Sequence, residues 1–328
     1  MTAFAITAAD VHDAAAVLHG VAVRTPLLEY APLNAAVGRR VLVKFEGAQH
    51  TGSFKFRGAY NRLARIASAD RAAGVVAWSS GNHAQGVAAA AKRLGMPATI
   101  VMPSDAPTIK AANTRALGAD IVFYDRATES REDIARNLCA AHGAILVPSY
   151  DDPFVMAGQG TIGLEILEQA LALDARLGQL LVCCGGGGLA AGIATAVRDA
   201  NAGAAIAIHA VEPLAYDDTA RSLVSGRRET VPAGARSICD ALMAPAPGML
   251  TFPINHALLA GGLTVTDDQV RDAMRYAFAV MKLVIEPGGA VALAAALNGL
   301  APAGDGDLAL VISGSNVDPA AYAAILVG

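Results

Sequence analysis

The sequence predicts an α/β protein whose parallel sheets are covered by helices on both faces. Three features of the 328 residues predict it. Short runs rich in Val, Ile and Leu recur along the chain, longer stretches with helical patterning separate them, and several runs end in Gly- or Ser-rich turns that open the next helix. The first twenty residues, MTAFAITAADVHDAAAVLHG, read as an amphipathic helix interrupted by Asp10, His12 and Asp13. They lack the basic start and following apolar block of a secretion signal. The predicted strands are VLVKFE (41 to 46), GVVAW (74 to 78), ATIVM (98 to 102), DIVFY (120 to 124), AILVP (144 to 148), LLVCC (180 to 184), AIAIHAVE (205 to 212) and LALVIS (308 to 313). Continuous apolar runs of this kind suit strands buried on both faces. Helices are predicted between them, over 82 to 95, 154 to 174 and 188 to 200. Ligands of such sheets bind beyond the carboxyl ends of the strands, so the turns there are the places to look for chemistry. No repeat, low-complexity tract or Pro/Ser-rich linker marks a boundary, which makes any second domain an insertion within the first.

Composition narrows the functional classes. Hydrophobic residues make up 54% and charged residues 16%, a compact globular chain with a large interior. A formal net charge of -4, with no Lys/Arg run, gives no field to neutralise a row of phosphates, so nucleic acid is not an expected partner. Uncharged apolar runs stay short of the roughly 18 residues that span a bilayer, so no membrane is expected and the cytoplasm is the expected location. Cys139, Cys183, Cys184 and Cys239 have no C-x-x-C spacing and read as reduced and buried.

Four segments carry chemistry. In TGSFKFRGAYNRL (51 to 63) a Gly-Ser turn leads through Phe54 to Lys55 at a helix start. The positive end of the helix dipole disfavours a cation there and favours the neutral amine, which suits a lysine that forms a Schiff base; the plain alternative is a solvated surface lysine. In SSGNHAQGVAAAA (79 to 91) Ser79, Ser80, Gly81, Asn82 and His83 follow a strand at a helix N-terminus, where free N–H groups suit a substrate carboxylate. Ser80 or Asn82 could equally be a helix cap. In CCGGGGLAAGIATAV (183 to 197) four glycines let the backbone approach a phosphate. A nucleotide loop is the rival, weakened because G-x-x-x-x-G-K-[ST] lacks its lysine here. In VISGSNVD (311 to 318) a strand ends on Ser313, whose hydroxyl could bond a ring nitrogen.

Together, in this order, GSFKFRGA, SSGNHAQG, CGGGGL and SGSN resemble the threonine/serine dehydratase and serine racemase family of fold type II pyridoxal-phosphate enzymes, over nearly the whole chain. VMAGQGTIGLEIL (155 to 167) and IEPGGAVALAAAL (285 to 297) match further segments of that family. The resemblance implies a two-domain, tryptophan synthase β-like fold, with residues 1–52 and 149–328 as a large cofactor-binding domain and 53–148 as a small inserted one. It implies that Lys55 carries pyridoxal phosphate as a Schiff base, Phe54 packs on the ring, Asn82 bonds the 3′-oxygen, and Gly185, Gly186, Gly187, Gly188 and Leu189 hold the phosphate. Glu286 lies in the matched Glu-Pro segment beside the cofactor. Ser313 would face the pyridine nitrogen without holding it protonated, favouring elimination over transamination. Ser80 would lie across the cofactor from Lys55, and residues Ser79 to His83 would bind the substrate. AVEPLAYDD (210 to 218) resembles the family's cation site, with Glu212, the Tyr216 carbonyl and Asp218 as ligands for Mg²⁺ or Ca²⁺.

The implied reaction is dehydration and deamination of a small β-hydroxy amino acid, L-threonine or L-serine, to a 2-oxo acid and ammonia, in amino-acid catabolism, by a homodimer. Serine racemase is the nearest alternative, because Ser80 could deliver a proton to the opposite face. SICDALMAPAPGMLTF (237 to 252) has Cys239, Asp240 and Ala241 where the family carries Ala-Asp-Gly, which opens a third reading on a bulkier or acidic substrate such as 3-hydroxyaspartate or phenylserine. His50 and RTPLLEY depart from the ATP-binding racemases, so ATP activation is not expected, and neither is isoleucine inhibition. A nonenzymatic metabolite-binding protein that uses the glycine loop alone is the competing class; it requires no covalent bond at Lys55.

Overall fold

The structure is a computed structural model and describes residues 4–106, 108–200 and 206–328. Ten strands are present among them: β1 (Leu27–Glu29), β2 (Val41–Phe45), β3 (Val75–Trp78), β4 (Ala98–Pro103), β5 (Asp120–Tyr124), β6 (Ile145–Leu146), β7 (Leu177–Cys183), β8 (Ala207–Pro213), β9 (Gly261–Val265) and β10 (Asp307–Ile312). They form a six-stranded sheet in the order β1-β2-β10-β7-β8-β9 and a four-stranded sheet in the order β5-β4-β3-β6. Every pairing is parallel except β1 with β2. The α/β class and the parallel pairing expected from the apolar runs are what the chain adopts. All four strands of the smaller sheet fall between β2 and β7 of the larger one.

The β5 run matches its predicted bounds, and the other predicted strands shift at their ends. Residue 205, the first of the predicted run 205 to 212, lies outside the described residues. Two strands went unpredicted. β1 is three residues long and follows Pro26; β9 begins with Gly261 and Gly262, which have little strand preference, and pairs along the edge of β8.

Helices position the strand ends. The Pro153–Ala172 helix starts where Asp152 accepts the Val155 N–H at 3.0 Å, with Pro153 in its first turn. It crosses the Gly188–Ala200 helix almost backbone to backbone: a Cβ on Gly192 would lie 2.2 Å from the Met156 carbonyl oxygen, and one on Gly160 2.7 Å from that of Gly192. Only glycine permits that approach. The crossing fixes where the second helix begins, and that beginning is the glycine loop. Beneath it, β10 and β7 are buried, and the Ala-rich Pro287–Leu297 helix is buried from Gly288 to Ala296. Its lack of a polar face follows from being enclosed on every side.

Candidate active site

Lys55 is the first residue of the Lys55–Ala64 helix, and backbone pairing with the SGSN segment holds it there. The Phe54 N–H donates to the Ser313 carbonyl at 3.1 Å, and Ser53 forms an antiparallel bridge with Gly314. The Lys55 Nζ donates to the Ser149 carbonyl at 2.8 Å and lies 5.0 Å from the centroid of the Phe54 ring. Burial of the amine lowers its pKa to about 8, with Cys183 and Glu286 opposing. A minority of the amine is therefore neutral near physiological pH, and burial rather than its helix position is the cause.

The SSGNH turn meets the same place. Gly81 is the N-cap of the Asn82–Leu94 helix and no side chain caps it, so Ser80 and Asn82 are free for another use. Ser79 Oγ accepts the Gly81 N–H at 3.1 Å, and Asn82 Nδ2 donates to Glu286 Oε1 at 2.6 Å. Asn316 Nδ2 in turn donates to Asn82 Oδ1 at 2.8 Å and to the Thr51 carbonyl at 2.6 Å. These bonds join four segments that lie far apart in sequence: those of Lys55, Asn82, Glu286 and Ser313. Glu286 is fully enclosed, and burial pushes its carboxyl up to about 8. His83 Nε2 sits 2.9 Å from the Val147 carbonyl oxygen, and burial, then Lys55, pull its pKa down to about 3. His83 is thus a neutral wall residue. Cys183, at the end of β7, is pushed up to about 11 by burial and stays a thiol.

The glycine loop is built for an anion. Its carbonyls are tied back: Gly186 O accepts the Gly248 N–H at 3.1 Å and Thr251 Oγ1 at 2.7 Å, while Gly187 O accepts Asn255 Nδ2 at 3.2 Å. Gly187 has φ +90°, open to glycine at little cost. Among the described residues no acceptor meets the N–H groups of Gly185, Gly186 or Gly187, which sit at the positive end of the Gly188–Ala200 helix.

All of these groups face one cavity of about 590 Å³. Phe54, Lys55, residues Ser79 to His83, the four glycines with Leu189, Glu286 and Ser313 all line it. A cleft of about 660 Å³ near Arg221, Glu229 and His256 is somewhat larger, but neither Lys55 nor the glycine loop reaches it. Chemistry rather than size selects the first. A phosphate-bearing aldehyde fits it, because the unpartnered N–H groups and a buried amine with a lowered pKa open onto the same space. Sequence reasoning missed Ser149, Tyr150, Trp78, Lys110, Arg126 and Arg131 in the wall. The return from the smaller sheet at 148 to 152 was the available signal, since chain crossings between two sheets border clefts.

Glu212, Tyr216 and Asp218 lie outside this cavity, at the end of β8. The Glu212 carboxylate accepts N–H groups from Thr219 at 3.0 Å and Ala220 at 2.8 Å, and Asp218 Oδ2 is buried with no hydrogen-bond partner among the described residues. Burial, then Asp218, pushes Glu212 up to about 8, and burial pushes Asp218 up to about 7. No cluster of three His, Cys, Asp or Glu side chains suited to a metal occurs among the described residues; two carboxyls and a carbonyl would not form one. The four cysteines are unpaired.

The fold and site define a pyridoxal-phosphate enzyme: residues 19–314 match the family model described as pyridoxal-phosphate dependent enzyme, and the chain belongs to that family. Within it, the chain is 46% identical over 319 residues to an L-threo-3-hydroxyaspartate ammonia-lyase of Pseudomonas sp, covering 97% of this chain and 98% of the relative. Among solved structures it is similar to a threonine deaminase from T.th. (42% identity, TM-score 0.89, covering 95% of this chain and 99% of that one). It is also similar to maize serine racemase (34% identity, TM-score 0.92, covering 98% and 97%). These are enzymes of the dehydratase and racemase group that the four segments resemble. No helix of the described residues is long and apolar enough to cross a membrane.

Proposed function

We propose that this protein is an ammonia-lyase that removes water and then ammonia from a small β-hydroxy amino acid, L-threonine, L-serine or 3-hydroxyaspartate, leaving a 2-oxo acid. The observation that carries the reading is the buried amine of Lys55, its pKa lowered to about 8, facing the same cavity as the free N–H groups of the glycine loop. Gly185 to Gly188 and Leu189 would hold the cofactor's phosphate, Phe54 would pack on its ring, Asn82 would meet its 3′-oxygen and Ser313 its ring nitrogen. When bound, pyridoxal phosphate supplies an electron sink that makes the substrate's α-proton removable. Lys55 Nζ takes that proton, and residues Ser79 to His83, with N–H groups at a helix start, bind and orient the substrate carboxylate. Ser80 is the candidate donor to the opposite face, the step a racemase needs.

The acidic substrate has support of its own. Lys110, Arg126 and Arg131 line the cavity, each paired with a carboxylate that lines it too (Asp240, Asp105 and Glu132), so a second substrate carboxylate would bind by exchanging with one of those partners. The similar Pseudomonas enzyme is named for such a substrate. The test is a kcat/KM comparison over L-threo-3-hydroxyaspartate, L-threonine, L-serine and phenylserine, with 2-oxo acid, ammonia and D-serine measured together. Elimination is expected to exceed D-serine formation at least tenfold; the reverse would make the protein a racemase. Borohydride reduction of the holoenzyme followed by mass analysis should place the cofactor on Lys55.

The same reading assigns residues 53–148 to the small inserted domain and 1–52 with 149–328 to the large one, supported by the smaller sheet lying wholly within the first span. It makes the protein a cytoplasmic homodimer. Glu212, the Tyr216 carbonyl and Asp218 would hold Mg²⁺ or Ca²⁺, supported by the unpartnered buried Asp218 oxygen. A pH effect follows. Both carboxyls have folded pKa values above the usual carboxylate range, so the protonated forms favour the fold, and that contribution is lost as pH rises from about 4 towards 8. With chelator present, Tm is expected to fall between pH 5 and pH 8. A millimolar divalent cation should restore several degrees at pH 8 and almost none at pH 5. Glu212→Gln should abolish the response; a wild type insensitive to cations at pH 8 would remove the assignment.

A further inference from the structure

Between β6 and the Pro153–Ala172 helix the chain runs along the cavity wall, and four consecutive residues fasten it. The Ser149 carbonyl accepts from Lys55 Nζ at 2.8 Å. The Asp151 carboxylate accepts the N–H groups of Met249 at 3.0 Å and Leu250 at 2.8 Å. Asp152 caps the following helix and accepts from Arg62 Nε at 2.9 Å. Tyr150 is thus held from both sides, and its ring lies flat on the glycine loop. A Cβ on Gly186 would point into the ring face, 2.4 Å from three ring carbons, and a Cβ on Gly188 would lie 2.9 Å from Tyr150 Cβ. Tyr150 also lines the cavity, and no hydrogen bond among the described residues involves its hydroxyl. A phenol fixed by packing and by its neighbours, with a free hydroxyl, is a preorganised donor.

We propose that the Tyr150 hydroxyl is a side-chain hydrogen-bond donor to the phosphate that the glycine loop holds. This rests on the reading of that loop as the phosphate site and extends it to a residue outside the loop. Two observations favour an anion as its acceptor. Burial, with Asp151 adding to it against Arg131, raises the phenol's pKa and keeps it a neutral donor, and the ring is fixed to the loop whose N–H groups are unpartnered. The phosphate is assigned as the acceptor rather than a substrate carboxylate because the ring packs on Gly186 and Gly188 of the loop itself.

The experiment is a binding titration on apoprotein, with pyridoxal phosphate and with pyridoxal, which keeps the aldehyde and lacks the phosphate. Tyr150→Phe keeps the ring on Gly186 and removes only the hydroxyl. It is expected to raise the Kd for pyridoxal phosphate about tenfold, as loss of a charge-assisted hydrogen bond does, and to leave that for pyridoxal unchanged. Replacing Tyr150 by 3-fluorotyrosine, a stronger donor of nearly the same shape, should tighten pyridoxal phosphate alone. Unchanged affinity in Tyr150→Phe, or an equal loss for both ligands, overturns the proposal. So does a tenfold rise in substrate KM at unchanged cofactor affinity, which would assign the hydroxyl to the substrate carboxylate. If the wild type itself binds the two ligands alike, the loop is not a phosphate site and both readings fall.

Discussion

Lys55→Ala is expected to lower kcat by about 10³-fold or more while the fold persists. Loss of a positioned general base alone removes about 10²- to 10⁴-fold, and here the same amine also anchors the cofactor. The contacts that place residue 55 are backbone bonds from Ser53 and Phe54 to the 313–314 segment, so truncating the side chain leaves them intact. Lys55→Arg separates base from charge: arginine keeps the cation and does not deprotonate in this range, so it should be equally inactive. Stability should move the other way. The folded amine titrates near 8 against 10.5 unfolded, so below pH 8 the apoprotein carries a buried ammonium that the fold disfavours. That disadvantage disappears as pH rises from 8 towards 10.5, where the unfolded chain binds the extra proton. Apo Lys55→Ala should therefore be at least as stable as wild type at pH 7, and the wild type should gain on it above pH 8. Retention of more than a tenth of wild-type kcat in Lys55→Ala would remove the lysine from the chemistry.

The four segments were legible because three of them end a strand and all open a helix or turn, and glycines, hydroxyls and an amide stand out against an apolar background there. Their mutual bonds were not legible. Nothing local to Asn82 announces Glu286 as its partner 204 residues away, and nothing in FKFRGA announces that Phe54 will pair with Ser313. The two readings left open at SSGNH were decided by backbone conformation: Gly81 takes the cap position, so neither Ser80 nor Asn82 is used as the helix cap. Ser149 to Asp152 carry no such local signal, since their work is done by a carbonyl and a ring face whose partners lie far off in sequence. β9 failed for a related reason, because its two leading glycines have little strand preference and the edge of β8 supplies the ladder.

Arg57→Met is expected to destabilise the protein by about 3–5 kcal/mol, the cost of removing one partner from a buried charge network. Arg57 sits two residues beyond Lys55 and is 1% exposed. Its guanidinium donates to both oxygens of Glu46, each at 2.9 Å, and to Glu165 at 2.6 and 2.9 Å. Lys44 Nζ donates to Glu165 at 2.6 Å, to the Thr25 carbonyl at 2.7 Å and to Gln169 at 2.8 Å. Two cations and two carboxylates make the set neutral as a whole, and it is the chemistry of the set that makes single changes severe. Losing Arg57 strands Glu46, which is wholly buried on a 3₁₀ turn. Glu165 is held below the usual carboxylate range by Arg57 and Lys44 against the opposing effect of burial, so its contribution is present above about pH 4.5 and is lost as pH falls below that. Arg57→Met combined with Glu46→Gln should recover part of the loss, since the double variant leaves no net charge behind; Arg57→Lys should recover less, because an ammonium cannot span both carboxylates. Denaturant unfolding of the wild type, Arg57→Met, Glu46→Gln and the double variant gives the coupling energy directly. The network joins the Lys55 helix to β2 and to the Pro153–Ala172 helix, so variants that weaken it should also loosen cofactor binding. If Arg57→Met and the double variant were equally stable, the quartet would be separate pairs and the Lys55 helix would be held by packing alone.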